Sequence, residues 1–310
     1  DWRQNVEDIV RDGTRYKGNV TKYPVSELAA LADTSKSRKV TIIAHSNGGL
    51  LAKALMLELE RQGKTELVDK VILVGTPQMG TPLTTLSLLY GYDETLPAGL
   101  MSQSEARVLG EHMPGAYGLL PSASYLGRLE APFIQFLSSE HTRYKKFREA
   151  YGDSIDSFDE FKSFLLGMGD GRTDPDASAV DEENILESGL LDKAIETHER
   201  LDAWVPPASV QVIEIAGWGL DTVSGVRYDE KSLDECHDLG GVIPLCTETG
   251  MYEPVYDPQF TVDGDAVVAA PSVLMLPEAV NVKKYWVDLY KYNNNTASDR
   301  KHRDILSVTR

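Results

Sequence analysis

Cysteine is scarce in this chain, and it has neither an excess of positive charge nor a long hydrophobic run. The longest wholly apolar runs fall far short of the roughly 20 residues that a membrane-spanning helix needs. The 31 Lys and Arg residues are outnumbered by 48 Asp and Glu residues, which gives a net charge of −17. No run of about five basic residues occurs, so nucleic acids and anionic membrane surfaces are poor partners. These absences exclude a membrane-spanning protein and argue against a nucleic-acid-binding protein.

The remaining composition is ordinary for a globular protein. Of the 310 residues, 42% are hydrophobic and 25% are charged, which are usual proportions for a folded domain. A chain of this size can bury a large core, so a disordered, collagen-like or coiled-coil protein is excluded. The length also suits an α/β fold, which often forms a single domain of about this size.

The two cysteines, Cys236 and Cys246, lie in a stretch that contains Gly and Pro. Their spacing fits neither a CxxC redox pair nor a zinc site. A hairpin would bring the two thiols within disulfide distance, and a disulfide would indicate an oxidising compartment. The alternative is two reduced, unrelated thiols, and both interpretations stay open. The sequence does not fix the compartment, although a secreted or extracytoplasmic location is favoured.

Short β-branched runs predict the strands of a parallel sheet. They are Lys39–Ala44, Val71–Val74, Val210–Ala216 and Lys283–Leu289. Between the first two, a helical pattern begins at Leu50 and reaches a stop at Gly63. A strand, a helix and a strand within about 40 residues predict a right-handed βαβ unit. The stretch between the last two runs, which holds both cysteines, is expected to be irregular.

From about Leu83 to Trp204 the pattern is mostly helical. Within it, Phe158–Leu165 carries an apolar stripe at helical spacing, and core packing is favoured over lipid contact for this stripe. A helical insertion in a sheet predicts a lid. We therefore expect a first part of the core in residues 1–120, a lid in 121–204 and the second part of the core in 205–310.

The most informative segment is Ala44–Gly48. A nucleophile elbow places a serine on a strained turn between a strand and a helix, with small residues two positions away on either side. Ser46 follows a predicted strand and precedes a predicted helix, with Ala44 and Gly48 in the small-residue positions. The helix N-terminus would aim the backbone N–H of Asn47 at a developing oxyanion. The alternative is a chance serine in a turn.

A serine nucleophile at neutral pH needs a histidine to take its proton and an acid to orient that histidine. In hydrolases the acid and then the histidine follow the serine along the chain. His302, just after the last predicted strand, is the expected base, and Asp265 is preferred over Asp263 as the acid. Other histidines lie in the helical insertion, where solvent-facing side chains are expected: His112, His141 and His198.

Taken together, these residues resemble an α/β-hydrolase of the lecithin–cholesterol acyltransferase-like lipase family. The matching segments follow the family's order along the whole chain: Asp1–Arg3, Ala44–Gly49, Gly75–Pro82, Leu119–Ser122, Gly264–Val268 and His302–Leu306. The resemblance implies an α/β-hydrolase fold with a mostly parallel sheet and a helical lid between its sixth and seventh strands. It makes Ser46 the nucleophile, Asp265 the orienting acid and His302 the base. This chemistry requires no metal and no organic cofactor.

The chain departs from the family pattern in three places. Ala44 replaces the usual Gly, and Asn47 replaces Met or Leu, which is tolerable because Asn47 would act through its backbone. In the family, the Asp-Trp-Arg motif follows the fourth strand, so the N-terminal strands and the second oxyanion donor are expected to be missing through truncation, proteolysis or a separate chain. An open sheet edge predicts self-association or pairing with a complementary N-terminal segment.

The resemblance implies a serine hydrolase that cleaves carboxylic esters, above all lipid esters, through an acyl-enzyme. An acyltransferase and an amide- or thioester-cleaving relative stay open, because both use the same triad. A third alternative is a non-catalytic, hydrolase-like fragment that binds a lipid or a complementary chain.

Overall fold

The computed structural model describes residues 1–18, 20–93, 101–137, 142–232, 235–237, 245–247 and 252–308. The α-helices are α1 (Val6–Asp12), α2 (Pro24–Thr34), α3 (Asn47–Arg61), α4 (Pro82–Tyr90), α5 (Gln103–Glu111), α6 (Pro114–Tyr117), α7 (Ala123–Leu126), α8 (Thr142–Tyr151), α9 (Phe158–Leu165), α10 (Ser188–Asp202), α11 (Ala270–Val273) and α12 (Leu289–Thr296). Short 3₁₀ helices span Thr65–Leu67 and His302–Ser307. Over these parts of the chain, no helix has the length and hydrophobicity needed to cross a bilayer.

The strands form two larger sheets and two small hairpins. They are β1 (Thr14–Tyr16), β2 (Val20–Lys22), β3 (Val40–His45), β4 (Val68–Val74), β5 (Ile134–Phe136), β6 (Ser154–Ile155), β7 (Gln211–Trp218), β8 (Thr222–Ser232), β9 (Glu235–His237), β10 (Leu245–Thr247), β11 (Tyr252–Thr261) and β12 (Val282–Asp288).

The first sheet has the order β12–β7–β4–β3, and all of its neighbouring strands are parallel. Each of the four strands predicted from the sequence lies in this sheet, so the prediction of a parallel sheet is confirmed. The predicted βαβ unit is β3–α3–β4. Just beyond α3, Gly63 has a φ of 66°, the left-handed conformation with which many helices end.

An aliphatic core lies between the first sheet and helices α1, α2 and α3. Its members are mainly Val, Leu, Ala and Met side chains, including Leu50, Met56, Leu59, Val71 and Leu73, each at most 1% exposed. On α3 the buried positions recur at helical spacing, so one face of the helix packs on the sheet. This packing fixes the start of α3 at the end of β3.

The second sheet, in the order β11–β8–β5–β6, was not predicted. Strands β8 and β11 form a long antiparallel pair, and β5 joins β8 in parallel. The expectation of an irregular stretch between β7 and β12 is therefore wrong for these residues. In β8 the buried Val226 and Tyr228 alternate with the partly exposed Arg227 and Asp229. That alternation is typical of a strand with one solvated face.

An aromatic core packs against the second sheet. It includes Phe133, Phe136, Phe147, Phe164 and Tyr228, each at most 2% exposed. The predicted core role of the stripe on Phe158–Leu165 is confirmed, because α9 buries three of its apolar side chains here. The division of the chain at residues 121 and 204 stays a prediction. Strands β5 and β6 lie between residues 121 and 204. The other two strands of the same sheet, β8 and β11, lie after residue 204.

Strands β9 and β10 pair antiparallel, and their register sets Cys236 opposite Cys246. This is the backbone pairing that a hairpin requires. The side chains of these two strands lie outside the described residues. A disulfide, and the oxidising compartment that it would indicate, therefore stay predictions.

Candidate active site

Ser46 lies on the turn between β3 and α3, with φ 55° and ψ −133°. Side-chain-bearing residues rarely adopt a positive φ, and such strain is found where the surrounding structure enforces it. Here the Ser46 N–H donates to the Val74 carbonyl at 3.0 Å, and the Ser46 carbonyl accepts from the Gly49 N–H at 2.9 Å. Strand, strained turn and helix are together the geometry of a nucleophile elbow, which raises the serine hydroxyl above the sheet edge.

The elbow needs glycine at position 49 more than at position 48. A Cβ added to Gly49 would lie 2.0 Å from Oγ1 of Thr76, whereas a Cβ added to Gly48 would meet no atom within 4 Å. In the elbow pattern read from the sequence, Gly48 is the required small residue after the serine. The structure shows instead that Gly49 lets α3 pack against the loop that follows β4.

The structure brings Ser46, Asp265 and His302 together at the carboxyl ends of the parallel strands. Nε2 of His302 lies 2.8 Å from Oγ of Ser46, and Nδ1 of His302 lies 2.8 Å from Oδ2 of Asp265. Asp265 is fully buried and His302 is 7% exposed. Asp263, the alternative acid, is exposed. In this arrangement His302 can accept a proton from the serine while the carboxylate holds its other nitrogen.

A set of backbone hydrogen bonds aims the Asp265 carboxylate. Oδ1 of Asp265 accepts from the N–H groups of Val267 and Val268 at 3.2 and 2.8 Å. Ala266 adopts a φ of 78°, and its N–H donates to the buried Thr222 hydroxyl at 2.9 Å. These bonds occupy Oδ1 and leave Oδ2 for the histidine. Thr222 was not predicted from the sequence, because it lies more than forty positions from Asp265 and carries no local motif.

His45 and Gly75 also fix the position of His302. Nε2 of His45 lies 2.9 Å from the His302 carbonyl, a contact in which that ring nitrogen must carry the proton. The two imidazole rings lie 4.7 Å apart. Gly75 has a φ of 54°, and a Cβ at this position would lie 3.0 Å from Cε1 of His302. His45 adjoins the serine in sequence, but its contact with His302 depends on the fold.

The Asn47 N–H is the first of helix α3 and has no acceptor within the helix. It lies next to the serine at the positive end of the helix dipole, which favours a negative oxygen there. Its role as oxyanion donor stays a prediction. Across the described parts of the chain, no group of three or more His, Cys, Asp or Glu side chains is arranged to hold a metal ion.

A buried polar cluster lies under the loop that follows β4. Nζ of Lys53 donates to Oε1 of Gln78 at 3.2 Å, and Nε2 of Gln78 donates to Oε1 of Glu214 at 2.5 Å. Burial lowers the pKa of Lys53 to about 8 and raises the pKa of Glu214 above its usual value. The cluster links α3, this loop and β7. The sequence analysis missed it, although Lys53 interrupts an otherwise apolar helix face.

A mostly parallel sheet with a serine elbow at the end of one strand defines this protein as an α/β-hydrolase. The sequence model of the lecithin:cholesterol acyltransferase family matches residues 1–306. The chain belongs to this family, as the sequence resemblance predicted.

Comparisons with individual proteins add less. No curated protein matches the sequence. Among solved structures, the crystal structure of the Tle4–Tli4 complex is similar, with 16% sequence identity and a TM-score of 0.41. The similar region covers 74% of this chain and 46% of that chain. The chain thus matches less than half the length of this solved relative.

Proposed function

We propose that this chain is a serine hydrolase that cleaves carboxylic esters, lipid esters in particular, through an acyl-enzyme. The observation that carries the proposal is the hydrogen-bonded chain from Asp265 through His302 to Ser46, with both contacts at 2.8 Å. A serine becomes nucleophilic when a neighbouring base takes its proton. Membership in the lecithin:cholesterol acyltransferase family supports chemistry at an acyl ester.

In the proposed first step, Oγ of Ser46 attacks the acyl carbonyl carbon while Nε2 of His302 takes the hydroxyl proton. The Asp265 carboxylate remains ionised and stabilises the imidazolium that forms. The carbonyl oxygen becomes an oxyanion and accepts from the Asn47 N–H. The intermediate then collapses, the bond to the alcohol breaks, and His302 returns its proton to the leaving alkoxide. An ester between the acyl group and Ser46 remains.

The second half of the reaction decides between hydrolysis and acyl transfer. Water, or an alcohol in a transferase, gives a proton to His302 and attacks the acyl-enzyme carbonyl. A second collapse releases the acid or the new ester and restores Ser46. Both outcomes use the same three side chains, so the acceptor that reaches the acyl-enzyme decides between them. Hydrolysis is the proposed outcome. The test is to add an alcohol and to measure the ratio of free acid to new ester among the products.

The test is the rate of cleavage of matched ester, thioester and amide substrates with one acyl chain. We expect the ester to be cleaved with a Ser46-dependent rate, and Ser46→Ala to lose about 10⁴-fold or more in kcat. Ser37→Ala, at an exposed serine nine positions before Ser46, is the matched control. Full ester turnover by Ser46→Ala would contradict the proposal. If amides or thioesters are cleaved faster than esters, they replace carboxylic esters as the substrate class.

A further inference from the structure

A cavity of 390 Å³ lies between helices α7, α9 and α10. Its volume falls within the range of small-molecule sites. None of Ser46, Asp265 and His302 lines it. Most of its wall is apolar and includes Phe158, Phe161, Leu165, Leu191, Ala194 and Ile195. Such a wall favours a hydrocarbon chain or ring.

Among the polar side chains that line the cavity, Ser122 and His198 both contact Asp202. Oγ of Ser122 donates to Oδ2 of Asp202 at 2.6 Å, and Nδ1 of His198 lies 3.2 Å from Oδ1 of Asp202. The other ring nitrogen of His198 lies 3.0 Å from the Gly118 carbonyl. His198 is therefore buried and hydrogen-bonded, and the expectation that it faces solvent is wrong. These contacts fix the Asp202 carboxylate at the cavity wall, and its side chain is 10% exposed.

The charge on this wall restricts the ligand. Burial acts to raise the pKa of Asp202, but the hydrogen bond and charge of His198, together with hydrogen bonds from Ser122 and Ser124, lower the pKa below its usual value. Asp202 is therefore ionised at neutral pH, and Glu199 also lines the cavity. The Lys162 ammonium is already paired with Asp192 at 2.8 Å. A carboxylate or phosphate ligand would meet like charge here, whereas a hydroxyl group can donate to the lone pairs that Asp202 has left.

We propose that this cavity binds a neutral aliphatic alcohol. The hydrocarbon chain packs along the wall formed by α9 and α10, and the hydroxyl group donates to Asp202. The site is separate from the triad, so an alcohol bound there is a ligand and not the ester being cleaved. This proposal does not depend on the proposed hydrolase activity.

The experiment is calorimetric titration of the full chain with 1-octanol, 1-nonanol and 1-decanol. We expect saturable binding of one molecule per chain, tighter by about fourfold for each added methylene until the cavity is full. Sodium decanoate at pH 8 should bind at least tenfold more weakly than 1-decanol. Ile195→Trp, which fills the cavity, should weaken 1-decanol binding at least tenfold and leave the cleavage of a short soluble ester unchanged. Ile195→Val is the matched control.

Four results would overturn the proposal. They are the absence of saturable 1-decanol binding, equal affinity for decanoate, unchanged binding in Ile195→Trp, and loss of binding in Ser46→Ala, which would move the alcohol to the triad. If Ile195→Trp fails to fold, Ile195→Phe gives the same test with a smaller ring. Binding that survives in Ser46→Ala while ester cleavage is lost keeps the two sites distinct.

Discussion

The two larger sheets of this protein differ in how they are assembled and in what fills their cores. The first sheet is parallel and contains the unit β3–α3–β4, whose parts follow one another directly in the sequence. Its core is mainly aliphatic. The second sheet pairs β5 with β8, which lies about ninety residues further along the chain, and its core is rich in Phe and Tyr. Ser46 follows a strand of the first sheet, and none of the three triad residues lies in a strand of the second.

This difference separates the local geometry of the nucleophile elbow from the long-range packing of the aromatic core, whereas the acid and the base beside Ser46 are themselves held by contacts between distant segments. The elbow depends on a strand and a helix that adjoin in sequence, whereas the aromatic core depends on contacts between distant segments. We therefore expect substitutions at the triad to remove activity without unfolding the protein. Substitutions in the aromatic core should lower stability without changing the chemistry.

The largest expected effect is that of Asp265→Asn. An amide nitrogen at Oδ2 cannot accept from Nδ1–H of His302, so the imidazole would turn to the wrong tautomer. We expect kcat for a soluble ester to fall by roughly 10³- to 10⁴-fold while the circular dichroism spectrum is unchanged. Asp263→Asn, at the exposed neighbouring carboxylate, is the control and should leave kcat unaltered. A loss of less than tenfold in Asp265→Asn would show that the acid is misassigned.

Phe164→Ala tests the other side of the comparison. Phe164 is fully buried and contacts Phe136, Phe147 and Tyr228 through its ring. Its truncation leaves a cavity and should lower the free energy of unfolding by about 3 to 5 kcal/mol. Denaturant-induced unfolding measures this loss, with the exposed Phe260→Ala as the control. The kcat of the folded variant on a short soluble ester should stay the same, and a parallel fall in kcat would show that the two regions are coupled.

The pair Gly49→Ala and Gly48→Ala examines the elbow itself. The new methyl group at position 49 would collide with Thr76, and we expect the free energy of unfolding to fall by about 3 kcal/mol. At position 48 there is open space, and Ala favours a helix over Gly by up to about 1 kcal/mol, so this variant should be neutral or more stable. Thermal unfolding of both variants gives the comparison. Equal effects would contradict the close packing of α3 against the loop after β4.

Lys53→Met tests the charge of Lys53 in the buried polar cluster that it forms with Gln78 and Glu214. In the folded chain burial lowers the pKa of Lys53 to about 8 from its ordinary value of 10.5, so the charged form costs stability below pH 8. This cost falls as pH rises above about 8 and is gone only above 10.5, where the lysine is neutral in both states. Relative to the difference above pH 10.5, we expect the stability of Lys53→Met at pH 7 to gain about 1 kcal/mol or more on that of the parent, because methionine carries no charge that burial must desolvate. Denaturant unfolding between pH 7 and 10.5 should show the advantage shrinking, and a constant difference would refute this origin.

The smallest expected effect concerns the edge of the first sheet. Strand β3 lies at that edge, and Ile43 on it is 64% exposed. An exposed apolar edge strand pairs readily with another chain. We expect sedimentation of the purified chain to show self-association, reduced by Ile43→Lys and not by Val280→Lys, which alters an exposed valine elsewhere. Sedimentation as a single monomeric species would contradict this expectation.

The features that could be predicted from the sequence are mostly those set by local contacts, and the features that could not are set by long-range contacts. The four parallel strands and the elbow were evident because each is a contiguous pattern of a few residues. His302 and Asp265 followed from chain order, and the structure places His302 beside Ser46 and Asp265 beside His302. Thr222 holds the triad only through contacts between distant segments, so no local pattern marked it. Gly75 belongs to the matching segment Gly75–Pro82, but its close approach to His302 depends on the fold. The strands β8 and β11 carry many charged residues on their solvated face, which concealed the alternation of apolar positions.

The central claim is that Ser46 is an activated nucleophile, and labelling with a fluorophosphonate tests it most directly. The reagent reacts with serines whose proton is taken by a neighbouring base, and peptide mapping identifies the residue. We predict a single label on Ser46, absent from Ser46→Ala and strongly reduced in His302→Ala. A folded chain that takes no label, or takes it on another serine, would contradict the account.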